Sequence, residues 1–353
     1  MKNKIKALAL FSGGLDSVLA ARIVVELGVD VEAVYFVNAF LQGYRDRATM
    51  GSYPVLAEIA REAGIRLHVV DIARAHLQIV QSPKYGYGEH MNPCIDCRII
   101  MLKQAKEFMQ KNGFSFIVSG EVLGQRPMSQ RREALNIIDR DADCKGLILR
   151  PLCAKLLKPT SAEEKGWVDR EKLCSFSGRS RKPQLVLAQE LGVKKHLAPA
   201  GGCLLTDPAF ARKFRNLCGL GKVDVRQVQL LKIGRHFYFS PAGIRIIVGR
   251  DEQENSYLEK AASAQDTLMK MGDFSGPLTI ILGNGLGEMG KLLEVAARIT
   301  ARYSKGKEEK LVRVEYWNKR EEKRHSLFVQ PTLPGESRAD GSLRLEDSLA
   351  KSA

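Results

Sequence analysis

Short apolar runs alternate with amphipathic stretches through the first third of the chain, and this alternation limits the possible folds more than any other feature. Four runs predict β-strands, at residues 5–11, 31–40, 65–72 and 114–124. Stretches with an apolar residue every three or four positions predict helices between them, at residues 16–27, 53–64 and 97–113. Strands that alternate with helices pair in parallel through right-handed crossovers. The sequence therefore predicts an α/β fold with a doubly wound parallel sheet.

The composition changes near residue 158, and we take residues 1–158 as a first domain. Residues 159–228 predict a basic segment of short helices and loops, since residues 145–182 hold ten Lys or Arg against four Asp or Glu. A hairpin around "SPAG", then helices and strands, predict a smaller α+β domain at residues 229–330. Residues 331–353 lack a periodic apolar face and are predicted to be disordered.

Charge and cysteine content indicate the class of partner and the compartment. The formal net charge of +15 favours a polyanionic partner, because each Lys or Arg that meets a phosphate releases a counterion. Seven cysteines in 353 residues are not typical of a secreted disulfide framework. The opening "MKNKIKALALFSGG" lacks a signal-peptide cleavage site, and no later stretch is apolar for ~18 residues. We therefore expect a cytoplasmic protein that does not bind membranes.

The sequence "SGGLDS" lies between the first predicted strand and the first predicted helix. Glycines let backbone N–H groups approach an anion, and the helix N-terminus adds partial positive charge. This turn has neither the lysine of a Walker A loop nor the GxGxxG spacing. A carboxylate repels phosphate unless a Mg²⁺ ion lies between them. Asp16 therefore indicates that the turn binds a phosphate-containing ligand together with Mg²⁺. The alternative is that Ser and Asp only cap the helix. The candidate ligands are Ser12, Gly13, Gly14, Asp16 and Ser17.

A Cys-x-x-Cys pair begins the predicted helix that follows "HMNP". The helix dipole favours thiolates at Cys94 and Cys97, and Arg98 adds positive charge. A third candidate, Cys203, follows two glycines in "PAGGCLLTDP". These three residues could hold structural zinc with His90 or His196, and the pair alone could be a redox motif. The remaining cysteines are expected only to pack: Cys144, Cys153, Cys174 and Cys218.

The stretch "SGEVLGQRPMSQ" follows the predicted strand at residues 114–124. It lies at the carboxyl edge of the sheet, where open α/β sheets bind ligands. The alternative is an ordinary polar loop. Its candidate residues are Gly120 and Gly124 for backbone access, Gln125, Ser129 and Gln130 for neutral hydrogen bonds, and Arg126, Arg131 and Arg132 for phosphates.

The "SGGLDS" turn resembles that of the PP-loop ATP pyrophosphatases, and the resemblance covers roughly residues 1–150. It implies that the turn binds the pyrophosphate of ATP, which members cleave between the α- and β-phosphates to adenylate a substrate. It also implies that the end of the second strand, with Tyr35 and Phe36, lies against the adenine.

The cysteine pattern resembles two kinds of tRNA-thiolating enzyme. "NPCIDCR" is similar to the NPDxxCN stretch of the bacterial tRNA 2-thiouridine synthases, but Cys94 replaces the aspartate and Arg98 the asparagine. A Cys-x-x-Cys pair with one remote cysteine resembles the iron–sulfur-dependent tRNA thiolases. That resemblance implies a [4Fe–4S] cluster on Cys94, Cys97 and Cys203 with one iron left open. A cluster-free persulfide relay and a zinc site stay open as alternatives.

Two further stretches resemble RNA-acting proteins. "SGEVLGQRPMSQ" and the basic stretch at residues 156–193 are similar to 4-thiouridine synthases, and residues 233–330 resemble the NFACT-R RNA-binding domain. Aromatic and basic residues together suit base stacking and phosphate binding, although strand core would explain most of the aromatics. The candidate RNA-binding residues are Arg131, Arg132, Lys158, Arg179, Arg181, Lys182, Arg235 and Arg250.

Taken together, the motifs predict an ATP-dependent tRNA thiouridylase. The expected catalytic residues are Asp16, which acts with Mg²⁺ and ATP, and the three cysteines that carry sulfur. The expected partners are tRNA and a donor of sulfide or persulfide. Two alternatives are a PP-loop ligase that acts on a small molecule and a non-catalytic factor that binds ATP and RNA.

Overall fold

The computed structural model describes residues 5–41, 53–197, 203–239, 244–283, 289–319, 323–331 and 343–345. The chain divides into two compact units, Met1–Ala211 and Arg212–Ala353. The division falls between the two boundaries expected from composition, so the basic segment does not form a unit of its own. Its first part belongs to the first unit and its last part to the second.

The first unit is built on five parallel strands, in the order β3-β2-β1-β4-β5. The strands are β1 (Lys6–Leu10), β2 (Asp30–Val37), β3 (Arg66–Asp71), β4 (Phe116–Ser119) and β5 (Ile148–Leu149). The chain winds outward from β1 to β2 and β3, then returns to place β4 on the other side of β1. Ligands of open α/β sheets bind where the winding direction reverses, which here is the carboxyl end of β1 and β4. The predicted doubly wound α/β sheet is confirmed.

Helices cover both faces of this sheet. They are α1 (Leu15–Glu26), α2 (Pro54–Glu62), α3 (Ala73–Gln81), α4 (Cys94–Lys111), α5 (Arg132–Asp141), α6 (Ser161–Glu164) and α7 (Lys182–Glu190). Val18, Ile59 and Ala188 place α1, α2 and α7 in one apolar layer. Leu102 and Ile138 place α4 and α5 in the other layer. The sequence did not predict α3, α5 or β5.

The segment after residue 158 packs on the carboxyl ends of the strands. The Leu197 N–H donates to the Gly13 carbonyl at 2.7 Å, and the Gly178 N–H donates to the Leu123 carbonyl at 2.8 Å. Val168 and Leu173 are buried in the same apolar layer as α1. The basic segment therefore forms part of the wall around the predicted phosphate-binding turn.

The second unit contains a seven-stranded antiparallel sheet, in the order β11-β10-β8-β9-β7-β6-β12. The strands are β6 (Arg235–Phe239), β7 (Ile244–Val248), β8 (Thr267–Met271), β9 (Thr279–Ile281), β10 (Val312–Asn318), β11 (His325–Val329) and β12 (Leu343–Leu345). The helices are α8 (Pro208–Gly219), which crosses the boundary between the units, α9 (Val225–Leu230), α10 (Glu252–Ala261) and α11 (Met289–Arg302). The α+β prediction is confirmed.

The predicted hairpin and the C-terminal tail are described only in part. The predicted hairpin is present as β6 and β7, but its turn "SPAG" lies outside the described residues. The tail was expected to be disordered, whereas Leu343–Leu345 pair with β6. No helix in the described ranges combines the length and the apolar composition needed to cross a membrane.

Candidate functional site

The turn between β1 and α1 is folded back on itself by its own serines. The Ser12 and Ser17 hydroxyls lie 3.2 Å apart, and Ser17 Oγ donates to the Gly14 carbonyl at 2.8 Å. Gly13 has φ +74°, and a Cβ there would lie 2.6 Å from Leu56 Cδ1. The turn therefore needs a glycine at residue 13. The first turn of α1 follows directly, and its N-terminus can stabilise an anion.

Asp16 lies in this first turn with one carboxylate oxygen satisfied. Oδ2 accepts a hydrogen bond from Gln125 Nε2 at 3.0 Å and lies 3.9 Å from Arg181 Nη2. Oδ1 is buried and has no hydrogen-bond partner in the described part of the chain. The N-cap of α1 is Gly14, without a side-chain cap, so Asp16 does not cap the helix. A buried carboxylate oxygen without a partner is the kind of ligand that Mg²⁺ takes.

The end of β4 contacts the start of α1 directly. A Cβ on Gly120 would lie 2.6 Å from the backbone carbon and oxygen of Asp16 and 2.7 Å from the Ser17 nitrogen. Only glycine allows this approach. Gln125 comes from the loop that follows β4 and reaches Asp16 from the other side. The structure thus brings "SGGLDS" and "SGEVLGQ" together where the winding direction of the sheet reverses.

Tyr35 and Phe36, the expected adenine contacts, lie on opposite faces of β2. Tyr35 packs edge-on against Tyr53 with ring centroids 5.1 Å apart, and burial raises the pKa of its hydroxyl to about 12. Phe36 is buried in the apolar layer that contains α4. The two side chains are therefore not brought to one surface.

Cys94 is the first residue of α4, as the dipole argument requires. The Asn92 amide nitrogen lies 3.4 Å from Cys94 Sγ. The buried Asp96 carboxylate accepts the Lys84 N–H at 2.9 Å and the Tyr85 N–H at 3.1 Å, which fixes the preceding loop to the helix. The N-terminal turn of α4 is thus fixed by Asn92, which precedes it, and by the Asp96 contacts with Lys84 and Tyr85.

Cys97 is in contact with His76 of α3. His76 Nε2 lies 3.0 Å from Cys97 Sγ. Burial raises the pKa of the Cys97 thiol well above its usual range, and negative charge on Cys203 and Cys94 adds to the effect. Burial lowers the pKa of His76 to about 4, so its imidazole is neutral near pH 7. None of the three candidate cysteines forms a disulfide, and both Cys94 and Cys203 lie within electrostatic reach of Cys97.

Sequence reasoning did not find His76. Its signal was the helical spacing of Ala73, Leu77 and Val80, which places His76 on the buried face of α3. Of the histidines considered as zinc ligands, His196 has its Nδ1 3.0 Å from the Leu197 carbonyl, and His90 donates its backbone N–H to Asn92 Oδ1. Within the described ranges, no set of three His, Cys, Asp or Glu is arranged to hold one metal ion.

Arg98 connects the cysteine helix to the end of β4. Its Nε donates to Glu121 Oε1 at 2.9 Å, and its Nη2 donates to Ser119 Oγ at 3.1 Å. Glu121 is 2% exposed and also accepts from Arg150 Nε at 2.9 Å. Burial raises the pKa of Glu121, but the Arg98 and Arg150 charges outweigh it and bring the pKa to about 2. This carboxylate is therefore ionised at neutral pH.

The candidate RNA-binding residues of the first unit are at its surface. Arg131 donates to the Pro127 carbonyl, and Arg132 donates to the Leu156 carbonyl at 3.0 Å. Three others are exposed or partly exposed around the start of α7: Arg179, Arg181 and Lys182. Lys158 is exposed as well. Within the described part of the chain, Arg181 is the one of these residues that contacts the phosphate-binding turn, through Asp16.

In the second unit, the predicted RNA-binding arginines make contacts within the fold. Arg235 stacks over the Tyr303 ring at 4.4 Å. Arg250 pairs with the buried carboxylate of Glu254, and its Nε lies 2.9 Å from Glu254 Oε1. Of the aromatics, Phe237 and Phe239 are strand core, as the alternative held. The residues that remain partly exposed are Tyr238, Tyr303, Tyr316 and Trp317.

Four of the seven cysteines were expected only to pack. Cys144 and Cys153 are fully buried, and Cys174 and Cys218 are partly buried. Burial raises the pKa of all four thiols, which makes them unreactive near neutral pH.

Two family models match the chain. Residues 3–156 match the model described as "Thiamine biosynthesis protein (ThiI)", and residues 234–339 match "NFACT protein RNA binding domain". One curated relative, a "Probable tRNA sulfurtransferase" of Thermoanaerobacter sp. (strain X514), is 34% identical over 151 residues. The match covers 42% of this chain and 36% of the relative, so the chain matches about a third of the relative's length.

Two solved structures are similar in part. The crystal structure of a 4-thiouridine synthetase–RNA complex with bound ATP is 20% identical, covers 64% of this chain and 52% of its own, and has a TM-score of 0.36. The U34-tRNA thiolase NcsA from Methanococcus maripaludis with its [4Fe-4S] cluster is 19% identical, with coverages of 57% and 61% and a TM-score of 0.29. These TM-scores are too low for either similarity to support an inference about function.

The two family matches confirm both resemblances seen in the motifs. The first match contains "SGGLDS", the Cys-x-x-Cys pair and "SGEVLGQRPMSQ", and the second contains the antiparallel sheet through β11. The chain therefore combines a ThiI-family domain of the PP-loop type at residues 3–156 with an NFACT-type RNA-binding domain at residues 234–339.

Proposed function

We propose that this chain is an ATP-dependent tRNA sulfurtransferase that adenylates a uridine carbonyl and replaces its oxygen with sulfur. The observation that carries the proposal is a continuous path of contacts from the phosphate-binding turn to the cysteine helix. Gly120 packs on Asp16, the next residue Glu121 binds Arg98, and Arg98 follows Cys97 in the helix. An ATP-binding element and a sulfur-carrying element joined in this way suit a reaction that uses both on one substrate atom.

Asp16 would hold Mg²⁺ through Oδ1, while Gln125 fixes the other carboxylate oxygen. When bound, Mg²⁺ would neutralise the negative charge that develops on the phosphates during the transfer. The uridine carbonyl oxygen attacks the α-phosphate of ATP, and pyrophosphate leaves from the turn at the start of α1. The N-terminal dipole of α1 and the Arg181 guanidinium, which lies near Asp16, stabilise the leaving anion.

Adenylation prepares the base for exchange of its oxygen. A carbonyl oxygen is a poor leaving group, whereas the phosphate ester leaves as AMP and takes the original oxygen with it. Sulfide attacks the same carbon and displaces AMP, so the oxygen is replaced with no net oxidation or reduction. With a cysteine persulfide as the nucleophile, the base is first joined to that cysteine through an S–S bond, which a second cysteine thiol then cleaves to release the thiocarbonyl and leave a disulfide. Cys94, Cys97 and Cys203 are the residues that we assign to sulfur delivery.

The donor set of three thiols suits a [4Fe–4S] cluster. Thiolates are the ligands of such clusters, and in a cluster each cysteine binds a different iron, so the three sulfurs need not meet at one ion. When bound, the cluster would supply an iron without a cysteine ligand, on which sulfide could be held. His76, through its contact with Cys97, would orient that thiolate and shield it from water.

Binding of tRNA is assigned to both units. The NFACT-type match and the net charge of +15 support a polyanionic RNA partner. We assign phosphate contacts to the exposed basic residues Lys158, Arg179 and Lys182, which lie in the segment that walls the ATP site.

The experiment combines the full chain, purified without oxygen, with ATP, tRNA and sulfide. We expect tRNA-dependent release of AMP and pyrophosphate and a thiolated nucleoside in digested tRNA by mass spectrometry. Asp16→Asn should abolish both products, whereas Cys203→Ser should retain AMP release and lose the thionucleoside. AMP release that requires a small amine or acid rather than tRNA would instead support a ligase.

The cofactor is tested separately by metal and acid-labile sulfide analysis of the same preparation. We expect about 4 iron atoms per chain, and loss of iron in Cys94→Ser, Cys97→Ser and Cys203→Ser. Cys218→Ser is the matched control, because this thiol lies on α8 and is not among the groups that shift the pKa of Cys97. Stoichiometric zinc, or active protein free of metal, would contradict the cluster assignment.

A further inference from the structure

Among the residues that the structure describes, no helix covers one part of one face of the antiparallel sheet in the second unit. Pairing in β10 and β11 places Val314, Tyr316 and Leu327 on the side that packs against α11. Successive residues of a strand point to opposite faces, so Arg313, Glu315 and Trp317 lie on the other side. Phe328, opposite Arg313 in the pairing, shares that side and is 64% exposed.

We name this surface the β10–β11 outer face. It consists of Lys270 on β8, Arg313, Glu315 and Trp317 on β10, Ser326 and Phe328 on β11, and Arg324 just before β11. Its position at one end of the strand order sets it apart from the central strands, whose corresponding residues Ile247 and Ile280 are fully buried. A sheet face that exposes aromatic rings on one edge is unusual for a surface without a binding role.

The aromatic rings of this face are accompanied by cations. The Arg324 guanidinium lies 4.7 Å from the centroid of the Trp317 ring, and Lys270 Nζ lies 6.0 Å from it. Glu315 holds the arginines in place, with Oε2 3.3 Å from Arg324 Nη1 and Oε1 3.7 Å from Arg313 Nη1. Arg313 also pairs with Asp273 at 2.9 Å. These ion pairs are exposed, so a phosphate could compete for the guanidinium groups at little cost.

We propose that the β10–β11 outer face binds single-stranded RNA, with bases stacked on Trp317 and Phe328 and phosphates held by Lys270, Arg313 and Arg324. The inference rests on the RNA-binding part of the proposed function and assigns it to a surface. Exposed aromatic rings stack any base, and the flanking cations follow the backbone. Paired RNA hides its bases within the helix, so the rings select unpaired segments such as tRNA loops or ends.

Strand geometry separates the two rings enough for independent stacking. Trp317 and the residue opposite Phe328 are four positions apart on β10, and the strands are neighbours, so the two side chains are roughly 14 Å apart. Each ring therefore provides its own stacking position, and loss of one should leave the other in use.

Trp317 makes the test direct, because the chain has only two tryptophans. Replacing the other, Trp167→Phe in the first unit, leaves Trp317 as the sole tryptophan of the full chain. We expect a short oligouridylate to quench its fluorescence on binding, and a duplex RNA of equal length to bind more weakly and quench less. Stacking of a base on an indole ring is the physical cause of the quenching.

Affinity measurements on variants give a second readout. Phe328→Ala and Trp317→Ala should each weaken oligouridylate binding about 10-fold. Glu315→Gln should tighten binding, because it releases Arg324 from its ion pair, leaves Arg313 with Asp273 as its carboxylate partner, and removes a charge that repels phosphate. Leu220→Ala is the matched control: it removes a side chain that is 54% exposed but lies outside the sheet, and should not change affinity.

Oligouridylate binding with unchanged Trp317 fluorescence and unchanged affinity in Phe328→Ala would overturn the proposal, as would complete absence of binding. Binding of a purified protein to Phe328 in place of RNA would also contradict the proposal, because the proposal requires RNA bases to stack on this ring. If quenching occurs but no thionucleoside forms, the surface assignment stands and the proposed sulfur transfer fails.

Discussion

Arg98 of the cysteine helix donates to Glu121 at 2.9 Å, and Glu121 directly follows the glycine that packs on Asp16. The same carboxylate accepts from Arg150, which is only 4% exposed and also pairs with Asp139. In the sequence, Arg98 stands where the similar motif of the 2-thiouridine synthases has an asparagine. The structure gives that departure a role, because Arg98 links the two chemical motifs of the first unit.

Glu121→Gln should destabilise the first unit strongly. The substitution leaves Arg98 without its counter-charge and leaves the almost fully buried Arg150 with Asp139 as its remaining carboxylate partner, and breaking a buried ion pair costs about 3–5 kcal/mol. Urea unfolding measures the loss. Glu133→Gln, on the exposed side of α5, should change the free energy of unfolding by no more than about 0.5 kcal/mol. Equal effects of the two substitutions would contradict a central role for Glu121.

The same carboxylate should contribute to acid sensitivity. Its pKa falls from the usual 4.5 to about 2, because the two arginine charges outweigh burial. A lowered pKa stabilises the folded state fully above pH 4.5, and this contribution is lost as the pH falls towards 2. The difference in unfolding free energy between the wild type and Glu121→Gln should therefore shrink over that interval. A difference that stays constant from pH 5 to pH 2.5 would contradict this assignment.

Gly120→Ala should push the loop that follows β4 away from the phosphate-binding turn at the start of α1. Its Cβ would lie 2.6 Å from backbone atoms of Asp16, which cannot move without shifting α1. Overpacking of this kind costs about 1–3 kcal/mol, and we expect a matching loss of ATP affinity, measured by calorimetry. Gly290→Ala, at an open position early in α11, should keep ATP affinity and stabilise its helix by up to about 1 kcal/mol.

Asp16→Asn should weaken magnesium binding without destabilising the fold. Asparagine keeps the shape and can still accept from Gln125, so the melting temperature should change little. It removes the charge on the unpartnered oxygen, and AMP formation should fall by about 100-fold or more, because a bound metal supplies several kcal/mol of charge stabilisation. Glu26→Gln is the control on the same helix, since its side chain only pairs with Arg22. Wild-type activity in Asp16→Asn would exclude the magnesium role.

Features with a local pattern could be predicted from the sequence. The turn after β1 and the start of α4 were found because glycine, serine and cysteine positions there have chemical meaning on their own. Arg250 was assigned to RNA on composition, yet its strongest contact is the buried Glu254, which no local pattern reveals. The end of the first domain was placed at residue 158 because the alternation stops there, but Val168 and Leu173 complete the same apolar layer.

Features that depend on a distant partner could not be predicted. His76 lies 21 positions from Cys97, and only the packing of α3 on α4 brings them together. Leu343–Leu345 is too short to show an alternating pattern, and its strand exists through pairing with β6. Likewise, the sequence shows that Arg98 belongs to the cysteine motif, but no local pattern predicts its ion pair with Glu121.

Cys97 should be the slower of the Cys-x-x-Cys thiols to react with iodoacetamide in metal-free protein. Alkylation requires the thiolate, and burial together with charge on Cys203 and Cys94 raises the pKa of Cys97 well above 9. Its alkylation rate should therefore still rise steeply with pH at pH 9. Peptide mass spectrometry resolves this site from the others, and the buried Cys153 should stay unlabelled as long as the protein is folded.

Cys203→Ser should accelerate alkylation of Cys97, because the substitution removes one of the charges that hold its pKa up. Cys218→Ser is the matched control, since Cys218 is not among the groups that shift the pKa of Cys97, and the rate should be unchanged. If Cys203→Ser leaves the rate unchanged as well, the two thiols are not electrostatically coupled in solution, and the assignment of both to one sulfur-carrying site fails. Acceleration specific to Cys203→Ser would show that the two thiols are electrostatically coupled before any cofactor is bound, as one sulfur-carrying site requires.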